Sequence, residues 1–180
     1  MITSSIYGQT TKSTPSPDVI HLMPVNAPDS VKHRNKIDGL GNKVGKWEYY
    51  SENGKLVLSI EYLNNKRDGA YARYQVNSGL LFEKGYYKNG IKHGEYFRYF
   101  TNGSIRVKGH YESGFKSDIW LYYYRDSGYL RSKGNYKRGR KDGIWLFYDK
   151  LEAVKRQVEY VNGELIKLDN DTVQLRKLKN

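Results

Sequence analysis

The 180-residue chain contains no cysteine, and this absence removes several kinds of chemistry. Disulfide bridges, thiolate metal sites and cysteine nucleophiles are excluded, whereas the cellular compartment stays open. Long apolar runs are also missing, and no stretch approaches the length of a membrane-spanning helix. Proline is scarce, and its four copies all lie within the first 28 residues. The beginning of the chain therefore differs in composition from the rest.

Tyrosine, glycine and positive charge are abundant, with 18 Tyr, 18 Gly and a formal net charge of +12. Tyrosine favours half-buried pleated surfaces and glycine favours turns, so this composition predicts an all-β chain of short strands. Residues 42–163 hold most of the charge, with 23 basic and 13 acidic side chains. A positive field attracts acidic proteins, anionic lipid or nucleic acid without choosing among them.

Residues 1–41 are interpreted as a flexible leader and run-in that contains Ser, Thr and Pro without apolar periodicity. The stretch from Met1 to Gln9 resembles the end of a signal peptide, with small residues before a cleavage point after Gly8. A charged start and a long apolar core are both missing. Two interpretations stay open: a disordered cytosolic N-terminus, which is slightly favoured, and an exported protein whose signal peptide is truncated.

A repeat of 24 or 25 residues fills residues 42–163. Each unit reads as strand, tight turn, strand and connecting turn, so the expected fold is five tandem antiparallel β-hairpins. The opening aromatics of the units are Trp47, Tyr71, Tyr96, Trp120 and Trp145. The closing tyrosines are Tyr62, Tyr87, Tyr111, Tyr136 and Tyr160. The opening series advances by 24, 25, 24 and 25 residues and the closing series by 25, 24, 25 and 24, which is the signature of a stacked repeat.

Each unit carries a turn at its hairpin tip. Asn53-Gly54 and Asn102-Gly103 predict two-residue type I′ turns, whereas Asn77-Ser78-Gly79 and Asp126-Ser127-Gly128 predict three-residue loops. Unit five has Leu151-Glu152 where Asn-Gly is expected, so its tip should be the least regular. The connecting turns between units are expected at Asn65, Asn89-Gly90, Ser113-Gly114, Arg138-Gly139 and Asn162-Gly163.

These turns predict the register of the hairpins. On one face an opening aromatic should cover a cross-strand glycine, which is a structural role. The predicted pairs on this face are Tyr71 with Gly85, Tyr96 with Gly109 and Trp120 with Gly134. On the other face a tyrosine of each unit should lie opposite one residue of the second strand. This facing residue is apolar in the first two units and basic in the last three. The predicted pairs there include Tyr99 with Arg106 and Tyr123 with Arg131.

The second face is the candidate partner-binding surface. Tyrosine and arginine are enriched at interfaces. Basic stems that cover tyrosine rings on a solvated sheet face would produce the same pattern, and both interpretations stay open. The candidate residues are Tyr74, Lys84, Tyr99, Arg106, Lys108, Tyr123, Arg131, Lys133, Tyr148 and Lys155.

The spine of unit three reads Lys-His-Gly-Glu-Tyr-Phe-Arg-Tyr-Phe-Thr-Asn-Gly-Ser over 92–104 and Lys-Gly-His-Tyr over 108–111, and 66–71 and 141–145 restate its opening. This spine resembles the MORN repeat, specifically the bacterial YwqK-type variant, in all five units. The resemblance implies an elongated ribbon of hairpins with little central core. It also implies a binding or assembly module for phosphoinositides, proteins or further copies of itself. The antitoxin label carried by the YwqK-type variant would mean binding and neutralising a toxin.

Sites for catalysis, metals and cofactors are not expected. None of the four histidines has a second ligand at a fixed spacing. Residues 39–45 imitate a phosphate loop but follow no predicted strand and open no predicted helix. Asp68 and Asp142 precede turn glycines, and their repetition indicates turn chemistry, not acid–base catalysis. The chain is therefore expected to be non-enzymatic.

A protein-binding module is the favoured function, in the form of an antitoxin or immunity protein if the label applies, because repeat ribbons offer extended contact surfaces. The basic repeats favour an acidic partner. The alternatives are a module for anionic lipid headgroups and a self-assembling structural protein whose terminal strands pair. Single-stranded nucleic acid, bound by tyrosine stacking, is disfavoured as a partner.

Residues 164–180 leave the repeat, because Asp169 stands where a sixth opening aromatic would be. Their apolar side chains predict a C-terminal cap for the last unit. The cap should contain a short strand and a helical turn beginning near Asp171.

Overall fold

Twelve antiparallel strands form one continuous sheet in the computed structural model, which describes residues 35–169. The strands lie side by side in chain order, so each strand pairs with its neighbours in sequence. Five hairpins, β2–β3 to β10–β11, are the repeat units, and β1 and β12 flank them. The expected all-β array of tandem antiparallel hairpins is therefore confirmed.

The strand bounds follow the repeat. They are β1 Lys36–Ile37, β2 Lys43–Tyr50, β3 Leu56–Leu63, β4 Lys66–Tyr74, β5 Leu81–Lys88, β6 Ile91–Tyr99, β7 Ile105–Glu112, β8 Phe115–Tyr123, β9 Leu130–Lys137, β10 Arg140–Tyr148, β11 Val154–Val161 and β12 Glu164–Asp169. β12 occupies the position of the short strand expected in the C-terminal cap. The signal-peptide interpretation and the helical turn near Asp171 concern residues outside the described range. Among the described residues, no helix is suited to crossing a bilayer.

The connecting turns have two residues with positive φ, as type I′ turns require. In the turn after β5, Asn89 has φ 51° and Gly90 has φ 83°. The Gly90 N–H donates to the carbonyl of Arg67 at 2.7 Å, and Gly114 donates to Lys92 at 2.9 Å. Equivalent bonds link the other connecting turns to the start of their own units, so one edge of the sheet carries a regular ladder.

The hairpin tips are one residue longer than predicted. In unit three, Phe100 N–H donates to Ser104 at 2.8 Å and Gly103 N–H donates to Phe100 at 3.0 Å, so the turn spans three residues. In unit two the Gly79 N–H reaches Gln75 at 2.8 Å, and the loop has four residues. The prediction of two- and three-residue turns was wrong, because Gly103 takes positive φ while its preceding Asn does not.

The longer tips place a bulge in the second strand of each hairpin. Arg98 lies opposite Val107 as predicted, but Tyr99 lies opposite Ile105, so Arg106 is the extra residue. Unit four repeats this arrangement, because Tyr123 lies opposite Leu130 and leaves Arg131 unpaired in the ladder. The predicted pairs Tyr99–Arg106 and Tyr123–Arg131 are therefore wrong. A bulge turns its extra side chain away from the regular alternation of faces.

The tip of unit five forms the same three-residue turn as the tip of unit three. Asp149 N–H donates to Ala153 at 2.9 Å, and Glu152 takes the glycine position with φ 60°. The Asp149 carboxylate accepts the N–H groups of Leu151 and Ala153, both at 2.9 Å. The hydrogen bonds from these two donors hold the pKa of Asp149 below its usual value, and the bond from Ala153 has the larger effect. The expected irregularity at this tip was wrong, because a side-chain cap compensates for the missing glycine.

The core is built from rings that lie along the sheet. Trp120 is 1% exposed and Trp145 is 2% exposed, although only one layer of sheet is present among the described residues. The register pair Trp120–Gly134 is confirmed, as are Tyr71–Gly85 and Tyr96–Gly109. The Trp120 ring nevertheless leans onto Gly109 of the preceding unit, and its Nε1 donates to the carbonyl of His110 at 3.1 Å.

The glycine beneath a ring should tolerate no side chain. A Cβ added at Gly134 would overlap the Trp145 ring. We expect Gly134→Ala to lower the free energy of unfolding by about 1–3 kcal/mol, as overpacking does. Urea unfolding followed by tryptophan fluorescence measures this. Gly39→Ala is the control, because a Cβ there meets nothing within 4 Å and the φ of Gly39 is not positive. Equal unfolding midpoints for the two variants would contradict the packing described.

The Glu152 position should prefer glycine. Glu152→Gly removes left-handed strain of about 1–2 kcal/mol. Glycine adds entropy to the unfolded chain worth about 0.4–1 kcal/mol, so we expect a net gain in the free energy of unfolding of up to about 1.6 kcal/mol. The midpoint of thermal unfolding should rise. Glu112→Gly makes the same chemical change at the end of β7, outside the left-handed region, and should lower the midpoint. A fall in both variants would overturn the assignment of strain.

Candidate functional site

One side of the sheet, named here the aromatic face, holds the opening aromatics and the closing tyrosines. Alternate residues of a strand share a face, which places these two series together across each hairpin. From Tyr96 to Tyr160 the rings form a continuous run. Tyr111 and Trp120 have centroids 5.2 Å apart at 90°, and Tyr136 and Trp145 are 5.2 Å apart at 87°. These edge-to-face contacts are a favoured arrangement of aromatic rings.

A series of basic residues, named here the cation row, lies over these rings. Its members are Lys43, Arg67, Lys92, Lys116 and Lys141. The Lys116 Nζ lies 4.2 Å from the Trp120 centroid and 4.8 Å from the Tyr136 centroid. Sequence reasoning missed this role, although the row advances by the same 24 and 25 residues as the rings. The shared spacing was the signal that could have found it.

The cation row is held by ring faces and phenol groups. Lys116 Nζ donates to the Tyr122 hydroxyl at 3.4 Å, and Lys141 Nζ donates to that of Tyr160 at 3.4 Å. The ion pairs found within residues 35–169 involve other side chains. The charge of the row is therefore balanced by ring quadrupoles and not by carboxylates, and the aromatic face keeps a positive potential.

Phenols of the aromatic face resist ionisation. Burial raises the pKa of Tyr122 well above its usual value, and the hydrogen bond with Tyr136 adds to the shift. Burial likewise raises the pKa of Tyr96, and the negative charge of Glu83 opposes a second anion beside it. These phenols stay protonated and serve as hydrogen-bond donors at neutral pH.

The predicted binding residues are divided between the two sides of the sheet. Arg106 reaches the aromatic face, where its guanidinium lies 5.6 Å from the Phe100 centroid. Arg131 lines a groove of about 340 Å³ on the same face together with Tyr122 and Tyr123. The bulges explain this placement, because they turn both arginines away from the face that simple alternation predicts.

The predicted lysines lie on the opposite side, named here the reverse face. Lys84 and Lys108 flank the Phe97 ring at 4.9 and 5.4 Å. Lys133 lies opposite Leu121 in the ladder, at a position that shares this face. The ten predicted residues therefore do not form one surface.

The other predicted residues lie near the hairpin tips. The first strands of three hairpins end at Tyr74, Tyr99 and Tyr148. The Tyr124 hydroxyl donates to the backbone carbonyl of Tyr148 at 2.8 Å. Lys155, the bulge residue of unit five, pairs with Asp149 at 3.2 Å. Partner binding by these residues stays a prediction. Within residues 35–169 no cluster of three or more His, Cys, Asp or Glu side chains could hold a metal ion.

Comparison with known families agrees with the repeat. The family model described as the MORN repeat variant matches residues 43–64 and 92–113. These ranges are the hairpins β2–β3 and β6–β7. No curated protein matches the chain. The fold and the match together define a repeat protein in which two of the five hairpin units are similar to the MORN repeat variant, a type of repeat that typically serves interaction or membrane binding.

The shifted phenols predict a loss of stability at alkaline pH. Their pKa values are raised in the folded chain, so the unfolded chain releases these protons first, near pH of about 10. The contribution of these phenols to the free energy of unfolding is complete below this pH and is lost as pH rises above it. Urea unfolding at a series of pH values should show this fall. Tyr122→Phe removes one such phenol and should make the fall shallower. A free energy of unfolding that stays constant into the alkaline range would contradict the burial of these phenols.

Proposed function

We propose that the chain is a non-enzymatic binding module whose aromatic face docks against an acidic surface of another protein. The observation that carries the proposal is the charge of the groove in units three and four. Its lining includes four basic side chains, Arg98, Arg106, Lys116 and Arg131, and no acidic one. A groove of one sign selects partners of the other sign and speeds their encounter.

The geometry of the groove suits a protein partner. Arg106 and Arg131 occupy equivalent bulges in β7 and β9, two strands apart, which corresponds to about 10 Å across the sheet. Tyr122 and Tyr123 stand between them on β8. Arginine forks beside tyrosine rings are typical of the residues that dominate binding energy at interfaces. The repeat supplies the rigid sheet that holds them in place.

An antitoxin or immunity role is a narrower form of the same proposal. What supports it is the resemblance of the units to the YwqK-type variant, and the acidic partner would then be a toxin. Co-expression with the product of an adjacent toxin-like reading frame tests this form. Restored growth of the host supports it, whereas undiminished toxicity when both proteins are present in equal amounts argues against it.

Two charge-matched double variants test the docking face. Arg106→Gln with Arg131→Gln removes two charges from the aromatic face. Lys108→Gln with Lys133→Gln removes two from the reverse face. Partners are captured from an extract of the source cells at physiological salt, and the captured protein is purified and titrated. We expect the arginine variant to bind at least about tenfold more weakly and the lysine variant to bind like the parent. Equal weakening of both would indicate unspecific attraction and reject the groove.

Anionic membrane binding is a second candidate, because exposed apolar side chains lie beside the connecting turns. Ile91 is 50% exposed and Phe115 is 58% exposed at the first residues of β6 and β8. Pelleting with vesicles of phosphatidylserine and phosphatidylcholine tests it. A membrane module should pellet at low salt, lose binding as salt rises, and bind less after Phe115→Ser. Absence of pelleting at low salt rejects this candidate.

A further inference from the structure

A second cavity lies on the aromatic face, at units one and two. It encloses about 560 Å³, within the range of about 300–1,000 Å³ typical of small-molecule sites. Its walls include the apolar side chains of Val57, Leu58 and Ile60. Its polar lining includes Arg67, Arg73, Tyr71, Glu83 and Lys92. It shares none of its lining residues with the arginine-rich groove of units three and four.

The cavity coincides with a departure from the repeat. Units one, four and five open with tryptophan, whereas units two and three open with Tyr71 and Tyr96. A phenol ring is smaller than an indole, and Tyr71 contacts Tyr87 at 4.9 Å without reaching the continuous ring run that starts at Tyr96. Positions that leave a repeat without breaking its phase are candidates for function, because the scaffold does not require them.

The same unit exchanges other residues for arginine. Arg67 stands in the cation row where the other four units have lysine. Arg73 stands where units one and four have Tyr49 and Tyr122, and unit three shares the arginine at this position, Arg98. The Arg73 side chain is 56% exposed, and Arg67 is also exposed. Arginine presents a planar fork of donors that matches a carboxylate in two bonds, which a lysine cannot do. Two such forks at one apolar cavity suggest recognition of an oxyanion.

Tyr71 supplies an independent observation. The residue is 5% exposed, and within the described part of the chain its hydroxyl has no hydrogen-bond partner. A buried hydroxyl without a partner is unfavourable, and a bound water or ligand group would satisfy it. Burial raises the pKa of this phenol and the charge of Glu83 raises it further, so the group is a donor at neutral pH.

Glu83 does not cancel the positive charge. Its Oε2 accepts the Tyr96 hydroxyl at 2.9 Å, and its Oε1 lies 3.5 Å from an Arg73 nitrogen. The carboxylate is therefore engaged and holds Arg73 at the cavity. Glu52, the other acidic residue of the lining, is exposed at the tip of unit one. Three cations face two carboxylates, so the lining keeps a net positive charge.

We propose that this cavity binds the carboxylate of a ligand with an apolar or aromatic body. Arg67 and Arg73 bind the carboxylate, and the side chains of Val57, Leu58 and Ile60 contact the body. The ligand is either a small organic acid or the C-terminal residue of a protein, since both present the same chemistry. The site does not depend on the docking groove proposed above.

Titration calorimetry with defined probes tests the chemistry on the full chain. The probes are N-acetylphenylalanine, its uncharged amide, a short peptide that ends in phenylalanine, and inorganic phosphate. Binding of the acid without binding of its amide supports the site. A peptide that binds more tightly than the acid assigns the site to a protein C-terminus, and equal affinity assigns it to a small acid. Binding of phosphate alone, or of no probe, overturns the proposal.

Three variants test the location. Tyr71→Trp installs the residue of units one, four and five and enlarges the ring that lines the cavity. Thermal unfolding checks that this variant folds, because the ring packs with Ile60 and not with a glycine of the preceding unit. Arg67→Gln removes one fork at an exposed position. Each should weaken binding of the acid at least about tenfold. Lys141→Gln removes the equivalent charge in unit five and should leave binding unchanged. Unchanged binding in Tyr71→Trp and Arg67→Gln, or equal weakening in all three variants, places the probe elsewhere and rejects the cavity.

Discussion

The flat contact between an opening aromatic and a strand glycine is the interaction on which the rest of the structure depends. A single sheet has no second layer to cover its apolar side chains, so the rings must find cover within the sheet itself. Glycines such as Gly109 and Gly134 leave room for an indole to lie against the backbone, and Trp120 and Trp145 are almost completely buried as a result. Trp120 and Trp145 lean on the preceding unit, so these units stabilise each other in series.

The cation row completes this arrangement from the solvent side. A lysine whose ammonium lies over an indole and a phenol covers the rings with its stem and keeps its charge in partial contact with water. The described carboxylates do not neutralise these lysines, so the repetition of a structural contact accumulates positive charge along one face. The contact that stabilises the sheet therefore also sets the chemistry of any partner.

Function is expected where the repeat changes. Positions that recur in all units, such as the closing tyrosines Tyr111 and Tyr136, serve the scaffold, and their roles can be explained without a ligand. Unit two alone has an arginine, Arg67, in the cation row, and it shares the smaller opening ring with unit three. The cavity lies beside Arg67 and Tyr71. A bulge recurs in every hairpin and so does not mark a change in the repeat. Among the bulge residues, Arg106 and Arg131 are the two that line the groove of units three and four. A regular scaffold thus carries two local surfaces of different chemistry.

The sequence alone determined the all-β class, the five hairpins, their phase and the pairs between rings and glycines, because these depend on spacing and on the alternation of a strand. It did not determine the faces of Arg106 and Arg131. That depended on one additional residue in each tip, which the Asn-Gly signal does not specify, and a shift of one residue moves a side chain to the other face. The ring over Gly109 and the cavity beside Tyr71 were decided only by tertiary structure, because they join residues of neighbouring units and depend on how each ring tilts. The spacing of the cation row is visible in the sequence, but its contacts with the ring faces depend on the positions of the side chains.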